Sequence, residues 1–160
     1  MRALFQRDER VPDRFALRRI LVLCTGNICR SPMAAAILEQ ELKRLGRDIE
    51  VRSAGLAALA GAPADPLANE RMAERGLDLS GHRATAVRRD QVRAADLILV
   101  MEHAQRRWLL NADPAAAGKT FLLGHWRRAE VPDPYLQPPA AYDEVVELID
   151  AGVADWIGRL

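Results

Sequence analysis

Residues 20–32 read Ile20-Leu21-Val22-Leu23-Cys24-Thr25-Gly26-Asn27-Ile28-Cys29-Arg30-Ser31-Pro32. The first four residues are a short apolar run, which is typical of a strand buried on both faces. Ser31-Pro32 predicts the start of a helix, because proline fits the first helical turn, where its missing N–H has no partner to lose. Residues 24–31 therefore form a loop between a buried strand and a helix N-terminus.

Strand and helix signals continue to alternate along the rest of the chain. Apolar residues repeat at helical spacing until Gly46, which predicts the helix end. The segment 49–53 is extended and completes a βαβ unit with a parallel strand pair. Further on, we predict helices at 67–75, 87–94 and 105–110, strands at 97–100 and 120–123, and a closing amphipathic helix from Tyr142 towards Leu160.

Four strands that alternate with helices indicate an α/β fold, a compact four-stranded parallel sheet with flanking helices. We assign it to one domain, residues 19–160. Residues 1–18 are predicted to be a flexible polar extension, since they are rich in arginine and lack the continuous apolar run of a secretory signal. We therefore expect a cytoplasmic protein.

The composition excludes several classes of protein. Lys plus Arg number 23 and Asp plus Glu 22, a net charge of +1, which argues against a nucleic-acid binder with a positive surface. No apolar run is long enough to insert into a membrane. The two cysteines, Cys24 and Cys29, are too few for a disulfide framework or an all-thiolate zinc site, and no metal site is predicted. Any anion site must therefore be local.

The loop 24–31 has the chemistry of such a site. In an open parallel sheet, ligands bind at the carboxyl ends of the strands, where this loop lies. Backbone N–H groups of a tight loop and of a helix N-terminus converge there and attract anions. Gly26 lets the backbone approach a ligand and Asn27 tolerates a left-handed conformation. Arg30 adds a planar fork that can hold two phosphate oxygens, so we call residues 24–31 the phosphate-binding loop.

Cys24 is the candidate nucleophile. The helix dipole, the loop amides and Arg30 all favour its thiolate, which is the reactive form of a cysteine. The hydroxyl of Ser31 can donate to the sulfur, first in the nucleophile and then in the leaving group. Arginine makes up 21 of 160 residues, so a Cys-x5-Arg spacing alone is weak, but asparagine and serine occur only three times each. Because Asn27 and Ser31 also occupy fixed positions in the loop, the pattern as a whole is specific.

These residues resemble the signature of the low-molecular-weight protein tyrosine phosphatases. The resemblance continues over residues 20–160, in the family's order and approximate spacing, at Ser53-Ala54-Gly55, Ala64-Asp65-Pro66, Gly81-His82, Leu97-Ile98-Leu99-Val100-Met101-Glu102 and Asp133-Pro134-Tyr135. It implies a four-stranded parallel sheet, no cofactor and a cysteinyl-phosphate intermediate. It also implies that Thr25, Ile28 and Cys29 belong to the phosphate site, and that Ser53 and His82 support Asn27.

Asp133 is the candidate general acid. Two prolines flank it and restrict the backbone, which holds the carboxyl group in place. In the family, the matching aspartate protonates the leaving phenolate and then activates the hydrolytic water. The expected walls for a phenyl ring are Tyr135 and the apolar loop around Leu59, since Leu136 stands where the family often has a second aromatic residue.

Three other functions are compatible with a loop of this kind. Arsenate reductases of the same fold need further cysteines, which this chain lacks. Protein arginine phosphatases carry a threonine at the position of Ile28, and this apolar side chain favours a phenyl ring over a guanidinium group. A non-catalytic phosphate-binding module would be expected to have lost Cys24, Arg30 or Asp133, and all three are present.

This chain resembles the bacterial branch of the family more than the animal branch. That resemblance implies a partner. That partner is a phosphotyrosine protein, an autophosphorylating tyrosine kinase of capsule or exopolysaccharide assembly. Two roles stay open for Cys29: a packing residue, or the partner of Cys24 in a reversible disulfide under oxidative stress, which the resemblance implies.

Overall fold

The strands of the sheet are all parallel. The computed structural model describes residues 16–160, and its strands are β1 (Arg19–Cys24), β2 (Glu50–Gly55), β3 (Leu97–Val100) and β4 (Thr120–Leu122). Their order is β2-β1-β3-β4, so that β1 lies inside the sheet between its partners β2 and β3. The predicted fold class, a four-stranded parallel sheet with flanking helices, is confirmed.

In the described part of the chain, five α-helices cover the sheet: α1 (Arg30–Arg44), α2 (Pro66–Ala73), α3 (Arg89–Ala94), α4 (His103–Ala112) and α5 (Pro139–Ile157). Short 3₁₀ helices lie at Pro114–Lys119 and His125–Arg127. None of the helices within residues 16–160 has the length and apolar character of a membrane span.

Each face of the sheet has its own core, because successive strand side chains point to opposite faces. Ile20 and Val22 of β1 pack with buried residues of α1, α2 and α5. Leu21 and Leu23 pack on the other face with residues of α3 and α4. All four are at most 3% exposed. This double coverage explains why the first strand is an unbroken apolar run.

The helix boundaries differ from the prediction by one turn or less. The closing helix begins at Pro139 rather than Tyr142 and ends at Ile157 rather than near Leu160. Its first turn is exposed, so the apolar periodicity gave no sign of it. The end of α1 matches its prediction, since Gly46 has a left-handed φ of 67° just beyond the helix.

The N-terminal boundary of the packed chain needs a correction. Leu17, which we assigned to the flexible extension, is 1% exposed and belongs to the core beside β1. Leu17 ends a short apolar group, Phe15-Ala16-Leu17, which is too short to show the periodicity of a helix or strand. Residues 1–15 of the predicted extension lie outside the described residues.

Candidate active site

The phosphate-binding loop joins the carboxyl end of β1 to the first turn of α1. Its carbonyl groups are held on the outside of the loop by surrounding backbone and one side chain. Those of Cys24, Thr25, Gly26 and Ile28 accept hydrogen bonds from the N–H groups of Leu56, Ala57, Leu59 and Asp65, at 2.8–3.2 Å. The carbonyl of Asn27 lies 2.6 Å from His82 Nε2, which must carry the proton to donate. With its carbonyls bound outside, the loop turns its amides inward, as an anion site requires.

The segment that follows β2 and donates these hydrogen bonds can approach the phosphate-binding loop closely because the last residue of β2 is Gly55. A Cβ atom there would lie 2.7 Å from the carbonyl oxygen of Thr25 and 2.9 Å from Ala58. Gly26 differs, since a Cβ atom at that position would meet only Ile28, at 3.7 Å. No contact among residues 16–160 demands a glycine at position 26, so its predicted use, a close approach to the ligand, stays a prediction.

Asn27 shapes the loop through its backbone and its side chain. It is fully buried and has a left-handed φ of 57°. Its Nδ2 donates to Ser31 Oγ at 2.9 Å and to Ser53 Oγ at 3.0 Å, while its Oδ1 accepts from the N–H of Thr85 at 3.0 Å. These bonds hold a conformation that few residues other than glycine adopt. The structure therefore brings the predicted supports Ser53 and His82 into contact with Asn27.

Two donors converge on the sulfur of Cys24. Its Sγ lies 3.0 Å from Ser31 Oγ and 3.3 Å from the N–H of Asn27. Ser31 Oγ already accepts from Asn27 Nδ2, which leaves the hydroxyl hydrogen of Ser31 to be donated to the sulfur. Both donors stabilise negative charge on Cys24.

Arg30 is 2% exposed, and groups outside the phosphate-binding loop hold its guanidinium group. Its Nη1 donates to the carboxylate of Glu102 and, at 3.0 Å, to the carbonyl oxygen of Val131. Its Nη2 lies 3.7 Å from Asp133 Oδ2. The guanidinium group therefore links the phosphate-binding loop to the end of β3 and to the loop before α5.

Asp133 lies in the Pro-flanked turn that the sequence indicates. Its Oδ1 accepts a hydrogen bond from the N–H of Tyr135 at 3.1 Å, which fixes the carboxyl group beside the pocket. Its side chain is 51% exposed, so substrate and water can reach the other oxygen, Oδ2.

A pocket of about 190 Å³ unites these residues. The lining residues are Cys24, Thr25, Gly26, Asn27, Ile28, Cys29, Arg30, Ala57, Leu59, Asp133 and Tyr135. Both predicted rim residues, Leu59 and Tyr135, line it and are 49% and 41% exposed. A larger groove of about 750 Å³ has Ser53, His82 and Thr85 among its lining residues, but Cys24, Arg30 and Asp133 do not line it. We therefore place the candidate active site at the smaller pocket.

A partly buried polar cluster around Asp65 adjoins the loop, since the N–H of Asp65 binds the carbonyl of Ile28. The hydroxyl of Tyr142 donates to Asp65 Oδ1 at 2.9 Å, and Asp65 also caps α2 by accepting from the N–H of Leu67 at 3.0 Å. Burial, followed by the negative charge of Asp65, raises the pKa of the Cys29 thiol. Burial also raises the pKa of Tyr142, and its hydrogen bond to Asp65 adds to the effect. Cys29 therefore stays a neutral thiol at physiological pH, beside the site of the proposed thiolate.

Sequence reasoning did not assign a role to several residues that hold the site. Glu102 binds Arg30, and Gln105 Nε2 donates to Thr25 Oγ1 at 3.1 Å. Thr85 supports Asn27 through its backbone N–H, so its residue type carries no signal. Glu102 could have been found, because it follows the carboxyl end of β3, next to the end of β1 in a parallel sheet.

The whole described sheet and its loops match a known protein family. The family model for low molecular weight phosphotyrosine protein phosphatase matches residues 19–160. The chain belongs to this family. A curated member, the probable low molecular weight protein-tyrosine-phosphatase EpsP of Ralstonia nicotianae, is 45% identical over 144 residues, which cover 90% of this chain and 97% of EpsP.

Solved structures of the low molecular weight phosphatases superpose on this chain. Vibrio vulnificus Wzb in complex with benzylphosphonate has a TM-score of 0.84 at 37% identity and covers 90% of this chain and 99% of its own. A cysteine-to-serine mutant of the YwlE arginine phosphatase, with a phosphorylated active-site serine, also has a TM-score of 0.84, at 28% identity, and covers 89% of this chain and 95% of its own. This chain thus resembles both a protein named a tyrosine phosphatase and one named an arginine phosphatase.

Proposed function

We propose that this low molecular weight phosphatase hydrolyses phosphotyrosine in proteins through a phosphate ester of Cys24. The observation that carries the proposal is the pocket itself. Cys24, Arg30 and Asp133 line this one space together with residues 25–29 of the loop, which supports their joint role. The names of the curated relatives, which are protein-tyrosine phosphatases, support the substrate class.

The first chemical step transfers the phosphoryl group to the enzyme. The thiolate of Cys24 attacks phosphorus, an S–P bond forms and the bond between phosphorus and the phenolic oxygen breaks. Asp133 gives its proton to the departing phenolate. Glu102 and Val131 hold Nη1 of Arg30, which leaves Nη2 and Nε to bind two phosphate oxygens, while the loop amides bind others.

The second step releases inorganic phosphate. Asp133, now a carboxylate, accepts a proton from a water molecule that attacks phosphorus. The S–P bond breaks and its electron pair returns to the sulfur of Cys24. The hydroxyl of Ser31, 3.0 Å away, stabilises this leaving thiolate as it stabilised the nucleophile. The enzyme returns to its starting state without a cofactor.

Phosphoarginine is the competing substrate, because one structural neighbour is named an arginine phosphatase. The pocket wall favours phosphotyrosine. Ile28, Ala57, Leu59 and Tyr135 surround the opening with apolar surface, which suits a phenyl ring better than a charged guanidinium group.

We further propose that the substrate is an autophosphorylating bacterial tyrosine kinase of exopolysaccharide assembly, encountered in the cytoplasm. The likeness to the bacterial branch supports the partner. The reduced compartment suits a nucleophilic thiol that must not be oxidised. A purified kinase of this class should lose phosphate from its tyrosines. A kinase left phosphorylated while small aryl phosphates are hydrolysed would remove this partner from the proposal.

The enzymatic proposal is tested by comparing the wild type with Cys24→Ser on 4-nitrophenyl phosphate and on phosphotyrosine and phosphoarginine peptides. We expect nitrophenol release and phosphotyrosine turnover by the wild type alone. Saturable phosphate binding without any release would instead indicate a non-catalytic module. Faster turnover of phosphoarginine than of phosphotyrosine would overturn the substrate assignment.

A further inference from the structure

The turn that carries Asp133 has few hydrogen bonds to the rest of the protein. The two prolines that flank Asp133 have no N–H group to donate. Among the described residues, two hydrogen bonds join residues 130–137 to other segments, and the backbone of Val131 makes both. Its N–H donates to the carbonyl oxygen of Met101 at 2.9 Å, and its carbonyl oxygen accepts from Arg30 Nη1 at 3.0 Å. The position of Asp133 therefore depends on where Met101 and Arg30 lie.

The side chain of Gln105 fixes the backbone of Met101. Met101 directly follows β3, and its N–H donates to Gln105 Oε1 at 2.8 Å. The same oxygen accepts from the N–H of Glu102 at 3.1 Å, while Gln105 Nε2 donates to Thr25 Oγ1 at 3.1 Å. Gln105 is 5% exposed, so these bonds take the place of water around its amide group.

These contacts close a ring that starts and ends in the phosphate-binding loop. Its members, each hydrogen-bonded to the next, are Thr25, Gln105, Met101, Val131 and Arg30. The first and last belong to the loop, and Val131 lies two residues before Asp133. The ring therefore ties the turn of the general acid to the loop that holds the phosphoryl group.

Helix capping alone does not account for the contacts of Gln105. Gln105 is the third residue of α4, and its bond to the N–H of Glu102 caps that helix. Gln91, the third residue of α3, caps its helix in the same way by accepting from the N–H of Arg88 at 3.0 Å. Within residues 16–160, the side chain of Gln91 makes this one hydrogen bond. Gln105 makes two more, to Met101 and Thr25, which the helix does not need.

We propose that Gln105 is a positioning residue for the general acid Asp133. Gln105 does not line the pocket, so it acts through the backbone of Met101 and Val131 rather than on the substrate. By fixing these two residues it keeps the carboxyl group of Asp133 within reach of the leaving oxygen. A displacement of about 1 Å at such a group can cost about a hundredfold in rate. The inference rests on the proposed phosphatase activity and adds a residue that controls its proton transfer.

The test compares two substrates that differ in their need for an acid. Phenolate leaves poorly without a proton, whereas nitrophenolate leaves without much help. In Gln105→Met, which keeps a side chain of similar length but removes the amide, kcat/KM for phenyl phosphate should fall about tenfold or more. For 4-nitrophenyl phosphate it should fall less than about threefold. A merely structural role would lower both values by the same factor.

Gln91→Met is the matched control, since it removes a helix-capping bond alone, and it should keep the wild-type ratio of the two kcat/KM values. Gln105→Asn serves as a second variant in case Gln105→Met does not fold. Its amide is one methylene group shorter and cannot reach both Met101 and Thr25, so the ratio should shift in the same direction.

An equal loss for both substrates in a folded Gln105 variant, or a wild-type ratio in both variants, would overturn the positioning role. A shifted ratio in Gln91→Met would also contradict it, because helix capping would then suffice to explain the effect. A wild-type protein that hydrolyses neither aryl phosphate would instead contradict the proposed function itself.

Discussion

Asn27 Nδ2 donates a hydrogen bond to Ser53 Oγ at 3.0 Å, which ties the phosphate-binding loop to the edge strand β2. Twenty-six residues separate the partners in the chain. The loop therefore keeps its left-handed turn through contacts with the packed sheet. Such preorganisation is what an anion site needs in order to stabilise a transition state.

The first prediction concerns the side-chain hydrogen bonds by which Asn27 supports the loop. Asn27→Ala removes three side-chain hydrogen bonds and places a less tolerant residue at a positive φ. We expect the free energy of unfolding to fall by about 2–4 kcal/mol and kcat/KM to fall by at least about tenfold. Urea unfolding and steady-state kinetics measure the two effects. Asn111→Ala, at an exposed position of α4, is the control and should change neither. An Asn27→Ala variant with wild-type stability would show that the contacts are not needed.

The second prediction concerns the hydroxyl beside the nucleophile. Ser31→Ala removes the donor that lies 3.0 Å from Cys24 Sγ. We expect kcat to fall about ten- to a hundredfold, because a hydrogen bond to a charged group is lost. Turnover of 4-nitrophenyl phosphate measures the effect. The exposed Ser80→Ala variant should keep the wild-type rate. A Ser31→Ala enzyme as fast as the wild type would exclude a role for this hydroxyl.

The third prediction concerns the carboxylate that holds Arg30. The side chain of Arg30 is 3% exposed and that of Glu102 30%, so Glu102→Gln leaves a buried cation short of negative charge. We expect a loss of about 1–3 kcal/mol in stability. Inorganic phosphate, whose charge replaces that of Glu102, should raise Tm more in this variant than in the wild type. Thermal unfolding with and without phosphate measures both effects.

The exposed Glu144→Gln variant serves as the control for this third test and should behave like the wild type. If Glu102→Gln unfolds at the wild-type temperature and responds equally to phosphate, Glu102 does not hold the charge of Arg30.

The fold could be predicted well from the sequence because its signals are local. The apolar runs at 20–23 and 97–100 mark strands buried on both faces, and Gly46 marks a helix end. The burial of Leu17 could not be predicted, since the apolar group Phe15-Ala16-Leu17 is too short to show a periodicity. The order of the strands is a property of packing that a pattern within one segment does not contain.

In the candidate site, too, local features could be predicted from the sequence, whereas contacts between distant segments could not. Cys24, Arg30 and Ser31 fall within eight residues, so their spacing can be read directly. Glu102 lies seventy-two residues from Arg30, and its contact exists only because β3 pairs with β1. The support from Thr85 comes from a backbone N–H group, which every residue except proline carries.

The fourth prediction separates the two cysteines. Burial and the nearby carboxylate of Asp65 raise the pKa of the Cys29 thiol, so it stays protonated at neutral and mildly alkaline pH. We expect iodoacetamide to modify native wild-type protein once, at Cys24, and to modify Cys29 only after unfolding in urea. Peptide mass spectrometry locates the label, and native Cys24→Ser should resist labelling. Equal labelling of both cysteines in the native wild type would contradict the buried, neutral state of Cys29.

The central claim is that the phosphoryl group passes through Cys24, and acid-quenched turnover of 4-nitrophenyl phosphate by Asp133→Ala tests it most directly. Nitrophenolate leaves without much help from an acid, whereas hydrolysis of the intermediate still needs the carboxylate of Asp133 as base. The phosphoenzyme should therefore accumulate, and mass spectrometry of the quenched protein should find one phosphoryl group on the peptide at Cys24. An unmodified Cys24 during turnover, or a phosphoryl group on Ser31 or Cys29, would contradict the mechanism.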